Sequence, residues 1–356
     1  MKMIKWPSIE QFRNVIRNVQ HQSAYAGQDE NGEAIFNRHA PKPTLHFEGT
    51  IKLHGTNAAV CWDRKMSSDI WAQSRENILT IEQDNAGFAS FTHSHVSDFK
   101  DLLTTALGVY GYVNAADIPY ICIFGEWCGG NIQKGVAITG LPKMFVIIGI
   151  ALADEEGNKT YFTRNQVKDV VDGCREYIGV EHSIKTIWDF PTFQLDIDFE
   201  RPELSQNTLG EITEQVERSC PVGFALGQDG VGEGVVWRCT DPGYDDSSFW
   251  FKVKGEKHSA SKVKTLAAVD IERVNSIKEC VENIVTESRL NQGLEHLTQN
   301  QLEHVAKNMG PFLQWISGDL AKEELDTITG SGLEFKEVVK EAQRVARNWF
   351  LKQIGV

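Results

Sequence analysis

Apolar and polar positions along this chain change texture near residue 260. Before it, short apolar runs broken by glycine and polar turns predict strands, with a few amphipathic helices between them. Leu45-His46-Phe47 leads toward Lys52, residues 58–62 form a return strand, and residues 69–75 form another that ends on an arginine. Residues 119–124 make a short strand that runs into Gly125-Glu126-Trp127. Residues 144–152 are apolar throughout, which places that strand in the middle of a sheet. Residues 234–239 and 248–253 read as strands joined by the turn-forming Asp241-Pro242-Gly243. Residues 8–20 suit a helix with Ser8 and Gln11 at capping-box positions and Ile9, Phe12, Val15, Ile16 and Val19 on one face. Residues 97–109 and 207–218 also suit helices, and Thr163 with Gln166 starts one that runs to about Cys174. Residues 21–43 read as a polar loop.

Beyond Lys264 the strand signals vanish. Val274, Ile277, Val281 and Ile284 recur at helical spacing, as do Phe335, Val338, Val339, Ala342, Val345 and Trp349, with Pro311 and Gly330 punctuating the helices between. The expected organisation is a mixed α/β body over residues 1–260 and an all-helical C-terminal domain over 261–356, with a lysine-rich hinge between.

Composition adds limits. The 356 residues are 41% hydrophobic and 24% charged, which suits a globular chain with a sizeable core. The net charge of −13 has the wrong sign for a protein that coats nucleic acid indiscriminately. A local basic stretch at 252–264, with five lysines and one glutamate, leaves room for a cationic groove on an acidic body. The seven cysteines are odd in number and form no C-x-x-C pair, which argues against a disulfide framework and a structural zinc site and favours a reducing, cytoplasmic setting. The N-terminus has no apolar core of signal-peptide length, and the longest apolar run, 144–153, is about half of a membrane span. No membrane association is expected, and His93 and His95 read as solvated histidines.

Five stretches share one pattern, a charged group near a strand end beside a glycine or a second charge: Lys52-Leu53-His54-Gly55, Ser74-Arg75, Phe124-Gly125-Glu126, Glu233-Gly234-Val235-Val236-Trp237-Arg238 and Phe251-Lys252-Val253-Lys254. Each alone is weak. Two lysines at i and i+2, for example, need mean no more than a wet strand face. In order and spacing, however, the five resemble the nucleotidyltransferase signature of ATP-dependent ligases and capping enzymes. Lys-x-His-Gly-Thr-Asn, in place of Lys-x-Asp-Gly, is similar to the RNA ligase 2 family of phage and trypanosome-editing RNA ligases. The absence of a strand run after the last motif sets the chain apart from DNA ligases and capping enzymes, which carry an OB-fold there.

The resemblance implies an α+β fold, with a mixed, largely antiparallel nucleotidyltransferase domain of ATP-grasp-like ligase type and a small all-α C-terminal domain. It implies an enzyme, an ATP-dependent RNA ligase that seals 3′-hydroxyl to 5′-phosphate ends through lysyl-AMP and AMP-capped RNA. ATP and Mg²⁺ (or Mn²⁺) would be its cofactors, nicked duplex RNA its substrate, and a monomer its working form, the helical domain clamping the duplex. Lys52 would be the nucleophile, and Lys252 and Lys254 would hold the α-phosphate. Glu126 would contact the ribose, Arg75 and Asn57 phosphate or RNA, and Glu233 the metal. Arg238 stands where the family has a lysine; it keeps the charge but replaces a point donor with a planar fork. His54 fits either an RNA contact or a packed strand-end histidine, and Phe145 either an adenine platform or a core aromatic. The acidic run around Asp196 and Asp198 reads as a surface loop or an edge strand. A capping guanylyltransferase, a DNA ligase and a non-catalytic RNA-binding module are the alternatives.

Overall fold

The computed structural model describes residues 1–37, 39–65, 70–111, 114–258 and 277–355. In chain order the elements are α1 (Phe12–Ala24), β1 (Tyr25–Gln28), β2 (Ala34–Phe36), β3 (Thr44–Lys52), β4 (Thr56–Asp63), β5 (Ile70–Ser74), β6 (Ile78–Leu79), α2 (Phe88–Ser94), α3 (Val96–Tyr110), β7 (Tyr120–Cys128), β8 (Met144–Ala153), β9 (Lys159–Tyr161), α4 (Arg164–Asp172), β10 (Ile184–Thr186), β11 (Thr192–Asp198), α5 (Gln206–Arg218), α6 (Pro221–Ala225), β12 (Gly234–Cys239), β13 (Trp250–Lys254), α7 (Ile277–Ile284), α8 (Glu287–Gln299), α9 (Met309–Gly330) and α10 (Phe335–Gln353). The fold is α+β, as the sequence predicts. The expected domain boundary at 260/261, together with Asp69, Val274 and Lys262 and Lys264 of the expected hinge, lies outside the described residues.

Two sheets carry the site. One is four-stranded in the order β11-β3-β12-β13; the other is seven-stranded in the order β10-β8-β7-β4-β5-β6 with β9 on β8. The short corner at Leu53-His54-Gly55 ends β3 in the first sheet and starts β4 in the second. Lys52, the last residue of β3, therefore stands where the chain crosses from sheet to sheet. Helices α2, α3 and α4 cover the outer face of the larger sheet over Phe99, Leu102, Ile121, Ile123, Val167 and Val170, all fully buried. The acidic run around Asp196 is β11, at the edge of the smaller sheet.

Local differences from the sequence reading have local causes. Helix α1 starts at Phe12, four residues later than Ser8, because the Ser8 hydroxyl accepts from Arg75 and Lys322 instead of capping. Its apolar face of Phe12, Val15 and Val19 is buried as expected. Residues 21–43 contain the hairpin β1-β2 as well as loop. The Thr163–Gln166 capping box is present. The expectation of no disulfide needs correction: Cys61 and Cys122 are joined, being directly opposite each other on β4 and β7 with Cα atoms 4.1 Å apart. Cross-strand register brings them together, a relation that residue spacing does not encode. The C-terminal helices pack on a core of their own around Ile284, Leu297, Phe312, Ile316, Ala342 and Phe350. There Arg289 is fully buried and paired with Asp319 and Glu324.

Candidate active site

Register sets the charged residues in rows. Gly234 of β12 lies between Lys52 of β3 and Lys254 of β13, and Val236 lies between Thr50 and Lys252. Because side chains alternate along a strand, Thr50, Lys52, Lys252 and Lys254 share one face. Gly234 has φ +152°, and a Cβ there would fall 2.1 Å from the Val253 carbonyl, so only glycine fits between the two lysine strands. From the other sheet, Asn57 of β4 sits opposite Glu126 of β7. Thr50, Lys52, Asn57, Glu126, Val236, Lys252 and Lys254 line one cavity of about 620 Å³, with Arg75, Glu76, His54, Arg238 and Glu233 also on its wall.

Glu233 is the electrostatic centre. Its side chain is almost fully buried, with Lys52 Nζ at 2.7 Å, Lys254 Nζ at 3.3 Å and His54 Nδ1 at 3.4 Å. Burial opposes its charge, but Lys52, Lys254 and His54 overturn that and hold the carboxyl well below the usual range. Burial lowers Lys254, partly offset by Glu233. It also lowers His258, whose ring stands edge-on to His54 with centroids 5.5 Å apart. The Glu233 carboxylate thus stands between the nucleophile candidate Lys52 and Lys254.

Glu126 is the second buried carboxyl. It accepts a 2.8 Å hydrogen bond from the Gly55 backbone N–H. At position 55 a Cβ would meet the Trp127 carbonyl at 2.4 Å, so the glycine is needed for that approach. Burial pushes Glu126 up to about 7, with Lys52 opposing and Glu233 adding to the rise. The folded chain therefore binds more protons than the unfolded chain between about 4.5 and 7, and this group's contribution to stability falls as pH rises through that window. Glu126→Gln is expected to flatten that slope and to raise the melting temperature relative to wild type above pH 7. Thermal unfolding of both proteins from pH 5 to 8 measures it; parallel curves would refute the assignment.

Two sequence expectations change. Phe145 is fully buried and does not reach the cavity. Its ring packs on Phe88 and Phe99 and against Gly125, on the helix-covered face of the sheet. The β7–β8 pairing shifts register after Phe124, so Glu126 pairs with Val146 while Phe145 pairs with Trp127 and points the opposite way from Glu126. Apolar residues that do line the cavity include Trp6, Ile9, Ile51, Leu53, Ile148, Ile187, Val236 and Trp315. Arg238 lines the cavity, but its guanidinium lies 4.6 Å over the Trp250 ring and 5.4 Å over Trp6, and donates to the Ile148 carbonyl at 2.9 Å. Burial lowers it to about 10. It is an architectural cation in an aromatic slot. Arg75 remains at the rim, donating to Ser8 Oγ at 3.1 Å. His93 is exposed, and His95 stacks on Phe91 with ring centroids 4.2 Å apart.

Sequence reasoning missed the far wall. Glu295 and His296 of α8 and Trp315, Asp319, Lys322 and Glu323 of α9 also line the cavity. Nothing in the pattern of α9 distinguishes Glu323 from its other polar residues. Among the described residues no group of three or more His, Cys, Asp or Glu is placed to hold a metal ion. Of the carboxylates on the cavity wall, Glu233 is the one held between Lys52 and Lys254. It fits a divalent ion that arrives on nucleotide phosphates and keeps its waters, as Mg²⁺ does, more than a resident metal.

Lysines and buried carboxylates thus converge where the two sheets meet. The RNA ligase family model matches residues 45–254, from β3 through β13, and the chain belongs to that family. Solved structures with similarity include a lysine-to-methionine variant of Naegleria gruberi RNA ligase with AMP and Mn, at 14% identity and a TM-score of 0.43, covering 72% of this chain and 58% of that one. The same enzyme with pyrophosphate matches at 15% identity and a TM-score of 0.41, covering 72% of this chain and 59% of that one. This chain thus spans less than two thirds of the length of those proteins. Among curated proteins none matches. No helix among the described residues is long and apolar enough to cross a membrane.

Proposed function

We propose that this protein is an ATP-dependent RNA ligase that seals 3′-hydroxyl and 5′-phosphate ends at nicks in duplex RNA. The observation that carries the reading is the convergence of Lys52, Lys252, Lys254, Glu126 and Glu233, drawn from four separate stretches of sequence, on one cavity. Membership of the RNA ligase family supports it, and the Naegleria relatives were solved with ATP, AMP or pyrophosphate, several with Mn.

In the first step the lone pair of neutral Lys52 forms a bond to the α-phosphorus of ATP. The bond from that phosphorus to pyrophosphate breaks, and the amine proton goes to solvent. An ammonium cannot attack, so Lys52 must first give up its proton. Glu233 is held ionised too firmly to be an efficient acceptor; it orients Lys52 and Lys254. AMP then passes to the RNA 5′-phosphate, and the 3′-hydroxyl displaces AMP from the 5′–5′ pyrophosphate. Each step gathers charge on phosphate oxygens, which Lys252, Lys254 and Arg75 face. Glu126, opposite Asn57, suits the ribose hydroxyls as an acceptor, and Ile148 and Ile187 give the base an apolar wall. A divalent ion held by Glu233 through the nucleotide would neutralise phosphate charge. An A-form duplex is recognised by shape and 2′-hydroxyls, in keeping with a protein that has no sequence-reading motif.

Incubation with labelled ATP or GTP tests the first step. ATP is expected to leave a label on the protein and GTP none. Nicked RNA should then be sealed in preference to nicked DNA. Labelling by GTP would make the protein a capping-type enzyme instead.

A further inference from the structure

We propose that the helical C-terminal region is a self-inhibiting cap whose Glu323 and Glu295 carboxylates occupy the places of substrate anions, so that nucleotide must displace the cap to bind. This rests on the ligase reading for the identity of the displacing anion, but the contacts themselves do not.

Glu323 Oε1 lies 3.1 Å from Lys252 Nζ, a cation assigned to the α-phosphate. Glu295 Oε1 lies 3.7 Å from His54 Nε2, on the corner that carries Lys52. The cap puts three carboxylates and one lysine on the cavity wall. Asp319 is already neutralised within the cap by Arg289, at 2.8 Å, which leaves Glu295 and Glu323 facing the body. Without the cap, the cations on the body's wall outnumber its carboxylates. With it the cavity is close to neutral, a poor place for a triphosphate. Burial opposes the charge of Glu323, yet Lys252, Gln11 and Lys322 bring its carboxyl down to about 2. The contact is therefore an ionised pair shielded from water, where charge complementarity carries weight.

The cap is fastened around this pair as well as by it. Arg13 and Gln11 both donate to the Glu323 backbone carbonyl, and Arg13 donates to Thr327 Oγ1 at 2.6 Å. At the rim Arg17 pairs with Asp326 at 2.7 Å. Helix α9 thus docks on the start of α1, and the shift of that helix start past Ser8 belongs to the same contact. A cavity of about 620 Å³ is of small-ligand size and has no room for a duplex beside Lys52.

If closed and open forms exchange, the apparent affinity for nucleotide is reduced by the open fraction. In the full chain, Glu323→Gln removes the charge and keeps the shape. The Michaelis constant for ATP in self-adenylylation is expected to fall about tenfold with the maximal rate little changed. Asp326→Lys, outside the cavity, should act in the same direction more weakly. Spin labels at the exposed positions of Glu156→Cys and Lys340→Cys report the cap directly. Added ATP should broaden or lengthen their distance distribution in the wild-type background, and Glu323→Gln should do so without nucleotide. An unchanged distribution both in the wild-type background with ATP and in Glu323→Gln without it, or slower adenylylation in Glu323→Gln, overturns the proposal, the latter by making the closed cap part of the reacting state. A wild type that accepts no nucleotide, while Glu323→Gln still opens, counts against the ligase reading and for the cap contact.

Discussion

Lys52→Ala abolishes self-adenylylation, a loss expected to be on the order of 10⁴-fold or more, as for removal of a covalent nucleophile. The reason is position as much as chemistry. Lys52 is the last residue of β3, at the corner between the two sheets, in one row with Gly234 and Lys254. Lys254 is the nearest substitute amine, but it lies two strands away and bonds the other oxygen of Glu233. Lys52→Arg separates nucleophile from charge: it restores a cation beside Glu233 yet stays protonated and cannot attack. Both variants should fail to take AMP from ATP. Both should still join an RNA strand that already carries the 5′–5′ pyrophosphate, because that step displaces AMP without passing through lysine. Gel detection of labelled protein and of sealed RNA reads the two activities apart. Wild-type labelling by Lys52→Ala would end the proposed mechanism.

Glu233→Ala carries the second large effect, on stability as well as rate. Its carboxylate is the shared counter-charge of Lys52, Lys254 and His54. Removing one partner from a buried ionic group leaves the others unpaired, at a cost of about 3–5 kcal/mol. Adenylylation is expected to slow by on the order of 10²-fold or more, because Lys52 loses its orienting partner. The sign of the pH dependence follows from Lys254. Burial already lowers its pKa below the unfolded value, and Glu233 is the main group opposing that. Without Glu233 it falls further, and the unfolded chain then binds more protons than the folded one over a wider alkaline window. The stability deficit of the variant should therefore shrink as pH rises. Urea unfolding at pH 7 and pH 9 measures this, with Glu233→Gln as a variant that keeps the shape. A deficit that grows toward pH 9, or none at either pH, would show that the carboxylate does not hold the two lysines.

Much of this was legible in one dimension because the relevant physics is local. Strand alternation puts Lys252 and Lys254 on one face, the apolar run at Met144 marks a central strand, and the Thr163 capping box starts α4. The charged strand-end motifs and their order pointed to the family, and Arg75, His54 and Asn57 do reach the cavity with the lysines. What the sequence could not supply depends on pairings between distant strands and helices. A register shift between β7 and β8 turns Phe145 away from Glu126 and leaves Ile148 facing the cavity. Cross-strand register joins Cys61 to Cys122. Three tryptophans from separate segments take up Arg238. The strongest such case is Glu323, a glutamate on a helix with no mark in its own surroundings. Only the docking of α9 on α1 makes it the partner of Lys252, since burial and charge pairing belong to the assembled surfaces and not to either segment alone.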